Sequence, residues 1–304
     1  MNDSSGIVDV PGVTIGHATD LVARTGCTVI LFDPPALTAV ETRGAAPGTR
    51  ELDLLAPGRM VQRADAILLS GGSAFGLSSA DGVVRSLAKA GLGFPTPAGP
   101  VPIVPAAVVF DLAVGSATAP DAAFGEAAVA NTLALSRTPE GTVGAGTGAT
   151  WGNIGGPDSA RRGGIGIAQR NIASGSVTAI AVVNAFGIVS SSIDSATDPR
   201  ITFLENVAGR NDLTPGQATT LVAVITTVAC NHDALIRCCV AAHDGMARCI
   251  VPAHTLVDGD VAFSSTITEG TITPGDLMRL TIATELAVEF AIRRAVTMNV
   301  GPIS

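Results

Sequence analysis

Several groups of residues have the types and spacing to do chemistry. The run GAGTGATWG at residues 144–152 could bring backbone N–H groups close to a phosphate. A dinucleotide fingerprint, however, needs G-x-G-x-x-G between a strand and a helix, with an acid roughly 20 residues further on. The spacing here is G-x-G-x-G, and Arg161-Arg162-Gly163-Gly164 follows in place of an acid. Tight turns or the lining of a pocket are the better reading. GGSAFG at residues 71–76 has the same ambiguity and lacks the Gly-Lys-Ser/Thr of a phosphate loop. Cys239 and His243 stand at helical spacing with His254 nearby, yet neither C-x-x-C nor H-E-x-x-H occurs. No cofactor and no metal are expected, and the cysteines read as small core residues.

Three polar positions remain. Asp258-Gly259-Asp260 sits inside HTLVDGDVAFSST, where Asp-Gly is first of all a turn signal, so a hairpin is expected there. Asn184 lies alone in the apolar run TAIAVVNAFGIV. A buried Asn needs partners for both its amide and its carbonyl, so it either ties down a loop or faces a site. The third is the junction Ala218-Thr219, where a polar stretch meets TTLVAVITTV. A Thr hydroxyl is a poor nucleophile without a base. If chain cleavage made Thr219 an N-terminus, its own α-amine, with an ordinary pKa of about 7.7–8.0, could serve. Thr-Thr at the start of a strand is otherwise ordinary.

The elements that would carry these residues are legible as alternating apolar runs. Residues 27–32 and 66–69 read as strands, and a helix over about 74–90 follows the Gly-Gly-Ser. Another strand ends the 101–112 segment, and 121–133 is Ala-rich and helical. Residues 178–189 read as two short strands meeting around 184–187. Residues 190–218 are polar and turn-rich with little periodicity, which predicts an exposed loop. The strand at Thr219 is followed by a helix from about Asn231, a plausible cap, to Ile250. The last helix starts at Thr273-Pro274 and runs to about Met298. Irregular alternation of strands and helices places the chain in the α/β or α+β class.

Composition bounds the function. Of 304 residues, 47% are hydrophobic and 14% charged, which excludes intrinsic disorder. The net charge of −8, with Lys89 the only lysine, argues against a nucleic-acid or anionic-membrane partner. An odd number of cysteines without framework spacing fits a reduced, cytoplasmic protein. The opening MNDSSG has neither the basic nor the apolar region of a signal peptide, and Gly, Pro and charges interrupt every apolar run before it reaches a membrane span.

VPGVTIGHATD, ETRGAAPGTRELDLL, LLSGGSAFGLSSADGV, VPIVPAAVVFDL, TVGAGTGATWG, RRGGIGIA, AVVNAFG, TTLVAVITT, AAHDGMARCIVPAH and TLVDGDVAF occur in this order over nearly the whole chain. On these stretches the chain resembles the self-processing L-aminopeptidase/D-esterase family, which includes β-aminopeptidases and nylon-oligomer (6-aminohexanoate-oligomer) hydrolases. The resemblance implies a four-layered α/β/β/α sandwich, like that of N-terminal-nucleophile hydrolases but with its own connectivity. It implies one hydrolase domain over 1–304, cut between Ala218 and Thr219 into an α chain of 1–218 and a β chain of 219–304. Thr219 would be the nucleophile and Asn184 an oxyanion donor. Asp258 and Asp260 would hydrogen-bond the Thr219 hydroxyl and ammonium. Phe110 and Asn153 stand in the pocket where nylon-hydrolase-like relatives carry Tyr and Lys, and Ala218 stands where many carry Asn or Gly. A small peptide or amide substrate and a homo-oligomer, a tetramer by resemblance, are expected with it. Two alternatives stay open: an unprocessed paralogue with a binding or structural role, and an acyltransferase like the more distant ornithine acetyltransferases.

Overall fold

The computed structural model describes residues 7–190, 198–206 and 218–298. In chain order, the elements that position the site are β1 (Val13–Asp20), β2 (Thr25–Thr42), β3 (Arg63–Ser70), α1 (Ser79–Lys89), β4 (Ala106–Val108), α2 (Ala122–Ala130), β5 (Gly164–Ile172), β6 (Gly175–Asn184), α3 (Pro199–Asn206), β7 (Thr219–Thr226), α4 (His232–Cys249), β8 (Val261–Thr266) and α5 (Pro274–Thr297). The strands pair in the order β5-β6-β7-β8-β2-β3-β4, and β1 pairs with the first half of β2. β7 and β8 run parallel, as do β3 and β4. Two parallel strands need a crossover, and α4 supplies the one between β7 and β8.

Side-chain alternation sorts these strands into layers. On β6 and β7, Val177, Ala179, Ala181, Val183, Val222 and Val224 face a core shared with α4 and α5. Their alternates Ile180, Val182, Leu221, Ala223 and Ile225 face Ile15, Ile30, Ile67 and Leu69 of the opposite strands. Cys27, Val29, Ala66 and Leu68 then point outward onto α1 and α2. The order is helix, sheet, sheet, helix: the four-layered α/β/β/α sandwich. Strands covered on both faces read as near-continuous apolar runs, which is why TTLVAVIT shows no polar alternation.

β2 belongs to both sheets. Pro34 and Pro35 lack the N–H that a ladder requires, and the register against β3 shifts between Leu31 and Ala36. Before the shift, Cys27 and Val29 pack on the α1/α2 side; after it, Leu37 and Ala39 pack on the α4/α5 side. Phe263, Ile67, Ile180 and Leu221 are fully buried between the sheets, each contributing roughly 1.5–3 kcal/mol of transfer free energy.

Helix starts follow their caps. Asn231 accepts from Ala234 N–H, Thr273 accepts from Asp276 N–H ahead of Pro274, and Asp121 accepts from Ala123 and Phe124. No helix among the described residues is long and apolar enough to cross a membrane.

Two local expectations need correction. Within the stretch expected to be loop, Pro199–Asn206 is helical; residues 191–197 and 207–217 lie outside the described residues. The start signal is Asp198 before Pro199: its Oδ1 accepts Arg200 N–H at 2.9 Å, and its carboxylate also binds the Arg200 guanidinium. Nor is 254–266 a hairpin. Only Val261–Thr266 is a strand, and it pairs with β7 and β2 rather than with the residues before it. The Asp258 carboxylate bends that preceding segment back by accepting from Thr255.

Candidate active site

Thr219 is the first residue of β7, is 3% exposed, and lies opposite Asn184, the last residue of β6. Its Oγ1–H donates to the carbonyl of Ala218, the residue before it, at 2.5 Å. That same carbonyl accepts Gly259 N–H at 2.9 Å, and Ala218 N–H donates to Val257 at 3.3 Å. Ala218 is therefore held through both its N–H and its carbonyl by the 257–259 backbone. A Cβ at Gly259 would lie 2.8 Å from Thr219 Oγ1 and 2.7 Å from the Ala46 carbonyl, so only glycine fits between them. A hydroxyl oxygen sits beside a buried carbonyl whose own oxygen already faces an N–H donor. That is the geometry for stabilising negative charge developing on the Ala218 oxygen.

The two carboxylates flank this peptide, both 2% exposed. Asp260 Oδ1 accepts Thr220 N–H at 2.6 Å, while Oδ2 accepts the His254 backbone N–H at 3.0 Å and its ring Nδ1 at 2.7 Å. Asp258 Oδ2 accepts Thr255 N–H at 2.9 Å and the Thr255 hydroxyl at 2.6 Å; Oδ1 reaches Phe186 N–H at 3.5 Å. Burial first, and the charge of Asp260 second, push the Asp258 pKa up to about 6 against its hydrogen bonds from Thr255 and Phe186. The direct bond expected from these carboxylates to the Thr219 hydroxyl is not formed. That hydroxyl is taken by the Ala218 carbonyl, and Asp260 holds the next residue's amide instead.

On the other side of Thr219, Asn184 Oδ1 accepts Thr150 N–H at 2.9 Å and Nδ2 donates to the Phe110 carbonyl at 3.0 Å. Asn153 Nδ2 donates to the Thr150 hydroxyl at 3.2 Å and to the Ala185 carbonyl at 3.3 Å. Asn184, Phe110 and Asn153 are thus brought together in one neutral network beside Thr219. Of the two readings open for Asn184, the structure has the tie: its amide donates to Phe110 rather than to the Ala218 carbonyl. Asp111, next to Phe110, is 1% exposed and accepts Gly72 N–H at 2.6 Å and the Thr25 hydroxyl at 2.8 Å. Burial pushes its pKa up to about 6 despite those bonds.

Cys239 and His243 do not form a joint site. Burial drives the Cys239 thiol far above its ordinary pKa, and His243 donates Nε2–H to the Glu41 carbonyl at 3.0 Å. Among the described residues, no group of three or more His, Cys, Asp or Glu could hold a metal ion. Sequence reasoning named Gly259 and His254 without these contacts, and missed Asp111 and the Ala46 backbone. The left-handed backbone of His254 (φ 57°) has no local sequence signal, whereas a lone Gly between two aspartates could have marked a close approach.

The model of peptidase family S58 matches residues 5–300. The chain belongs to this family. An uncharacterized aminopeptidase of Mycobacterium leprae is 39% identical over 291 residues, covering 85% of this chain and 77% of that one. A 6-aminohexanoate-oligomer endohydrolase of Kocuria sp. is 32% identical over 275 residues, covering 86% and 74%. Two solved structures share the fold at low identity. One is a Burkholderia sp. β-aminopeptidase, with TM-score 0.71, 21% identity and coverage of 94% and 84%. The other is the L-aminopeptidase D-Ala-esterase/amidase of Ochrobactrum anthropi, described as a variant of the Ntn-hydrolase fold, with TM-score 0.74, 16% identity and coverage of 96% and 87%. This member of family S58 is a hydrolase of the aminopeptidase/amidase class.

Proposed function

We propose that this S58 hydrolase cuts itself between Ala218 and Thr219, and that the freed Thr219 then attacks small amino-acid amides, short peptides or amino-acid oligomers. The observation that carries the reading is the Thr219 hydroxyl at 2.5 Å from the Ala218 carbonyl oxygen, with Gly259 N–H at 2.9 Å on the same atom. In the first step Thr219 Oγ adds to the Ala218 carbonyl carbon and the oxygen takes up negative charge facing Gly259. The C–N bond then breaks, and the Thr219 nitrogen gains the proton that the hydroxyl loses. Water hydrolyses the resulting ester, leaving an Ala218 carboxylate and a free Thr219 amine.

In turnover that amine is the base. It takes the hydroxyl proton as Oγ attacks the substrate carbonyl, passes it to the leaving amine, and assists water in releasing the acyl group. An α-amine ordinarily titrates at about 7.7–8.0, so activity rises through neutral to alkaline pH and survives chelators. Relatives named aminopeptidase and 6-aminohexanoate-oligomer endohydrolase support an amide substrate.

Mass spectrometry of the purified, denatured protein tests the reading. The expected result is two chains with Thr219 at the new N-terminus, and one uncut chain for Thr219→Ala. A wild-type chain that stays whole, or a cut elsewhere, overturns it and favours an unprocessed paralogue.

A further inference from the structure

His254 holds a backbone conformation, φ 57°, that is uncommon and costly for a residue with a Cβ. The turn aims two donors, its N–H and its ring Nδ1, at one atom, Asp260 Oδ2, at 3.0 and 2.7 Å. Its ring Nε2 faces the His243 carbonyl at 3.4 Å, and the two imidazoles meet edge to face with centroids 4.9 Å apart. Both ring nitrogens of His254 therefore face acceptors. Neutral imidazole has only one donor, and only imidazolium donates to both. The second oxygen of the same carboxylate, Asp260 Oδ1, accepts Thr220 N–H at 2.6 Å. A continuous path of contacts thus runs from the His254 ring to the amide that follows Thr219.

We propose that His254 is a positioning residue: as imidazolium it fixes the Asp260 carboxylate that seats Thr220, and so holds the Thr219 hydroxyl at the Ala218 carbonyl. In the cut chain the same cation offsets the negative charge of Asp258 and Asp260 around the Thr219 amine. This rests on the reading of Thr219 as nucleophile. The titratable and charged groups around the ring are Asp258 and Asp260 on its own loop, His243 from α4, and Glu41 and Arg43 at the end of β2. Glu41 is reached through His243, and Arg43 N–H donates to the Asp260 carbonyl at 3.0 Å. Burial alone lowers the His254 pKa, but the hydrogen bond and charge of Asp260, the His243 carbonyl and the charge of Asp258 outweigh it, and the net direction is up. Burial, its largest cause, holds His243 down, so the cation belongs on His254. A cation beside two carboxylates keeps the amine's pKa from rising as far as the carboxylates alone would drive it.

The experiment compares wild-type with His254→Asn, which tolerates the left-handed backbone, and His254→Gly, which relieves it and leaves space for free imidazole. His254→Asn is expected to cut itself about tenfold to a hundredfold more slowly, the worth of a charge-assisted hydrogen bond. Its melting temperature should stay near wild-type. In its processed form the acid limb of the kcat/KM profile should move to higher pH. Added imidazole should restore cutting in His254→Gly, most strongly below about pH 7, where it is protonated. In an Asp260→Asn background, His254→Asn should add no further loss. A His254→Asn chain that cuts at the wild-type rate with an unmoved pH limb overturns the proposal alone. Should that variant fail to fold, absence of imidazole rescue in His254→Gly overturns it. A wild-type chain that never cuts overturns the reading of Thr219, and this inference with it.

Discussion

The two flanks of β7 hold Thr219 in different ways. On the β8 side, one short segment brings two buried carboxylates and an imidazole against the Ala218-Thr219 peptide. On the β6 side, polar groups from three separate stretches, at Phe110, at Thr150 with Asn153, and at Asn184, close a neutral network. Burying ionised groups is expensive, and the rise of the Asp258 pKa to about 6 records that expense. Satisfied neutral amides carry no such penalty. Under the proposed function the flanks would have distinct tasks: the charged one would govern reaction, the neutral one the shape and stability of the walls. Substitutions on the β8 side should therefore alter rates with little loss of stability. Those on the β6 side should do the reverse.

The sharpest way to break this division is Gly259→Ala. The added Cβ would meet Thr219 Oγ1 at 2.8 Å and the Ala46 carbonyl at 2.7 Å, so hydroxyl, loop or both must move. The Gly259 N–H that faces the Ala218 oxygen moves with them. Loss of one donor of this kind costs about a hundredfold or more in rate. Self-cleavage followed over time on denaturing gels should fall by at least that factor, with a drop in thermal melting from the clash with the Ala46 backbone that is too small to unfold the protein at the assay temperature. Normal cutting by Gly259→Ala would remove Gly259 from the reaction.

These contacts also show why the site was only partly legible beforehand. Locally Thr219 is only the start of an apolar strand after a polar stretch, and the family resemblance singled it out; the caps Asn231 and Thr273 are local signals that the structure keeps. The Asp258-Gly259 pair looks the same in a hairpin turn and in this loop. What separates the two is the company of Thr220, His254 and Ala218, decided by β7 and β8 running parallel. The role of Gly259 depends on Ala46, far away in the chain, whose carbonyl occupies the space a side chain would need. Likewise the two readings of Asn184 differ only in whether Phe110 or an incoming carbonyl takes its amide proton. Local spacing carries elements and caps; it does not carry which distant backbone atoms converge on them.

Asn184→Ala tests the opposite flank. It leaves Thr150 N–H and the Phe110 carbonyl without their partner in a buried setting, at about 1–3 kcal/mol for each unsatisfied group. Chemical denaturation should show a loss of about 3 kcal/mol, with self-cleavage slowed by less than in Gly259→Ala. A variant of unchanged stability that no longer cuts would instead make Asn184 a direct participant, and the two flanks would share the chemistry.

The smallest expected effect concerns a buried carboxyl at the edge of the neutral flank, Asp111. Its carboxyl is pushed from 3.8 to about 6 by burial, against bonds from Gly72 and Thr25. The unfolded chain releases this proton near pH 4, whereas the folded chain keeps it until about pH 6. Between those values the folded state binds more protons than the unfolded one, so stability falls as pH rises through the window, and the full cost stands above it. At 1.36 kcal/mol per unit, a shift of about two units sets a ceiling of about 3 kcal/mol. Asp111→Asn resembles the protonated acid: its carbonyl still accepts Gly72 N–H, and its amide can donate to the Thr25 hydroxyl. Since that amide bond is weaker than the one it replaces, the net gain at pH 7.5 should be about 1 kcal/mol. The test is the difference in unfolding free energy between wild-type and variant from pH 4 to 7.5. Asp258 contributes a slope of the same sign in both proteins, so the difference isolates Asp111. A gap that widens with pH in favour of Asn means the wall beside Phe110 bears a buried charge for no structural benefit. Parallel curves would mean that Asp111 ionises as freely as in the unfolded chain, so that its charge costs the β6 flank nothing.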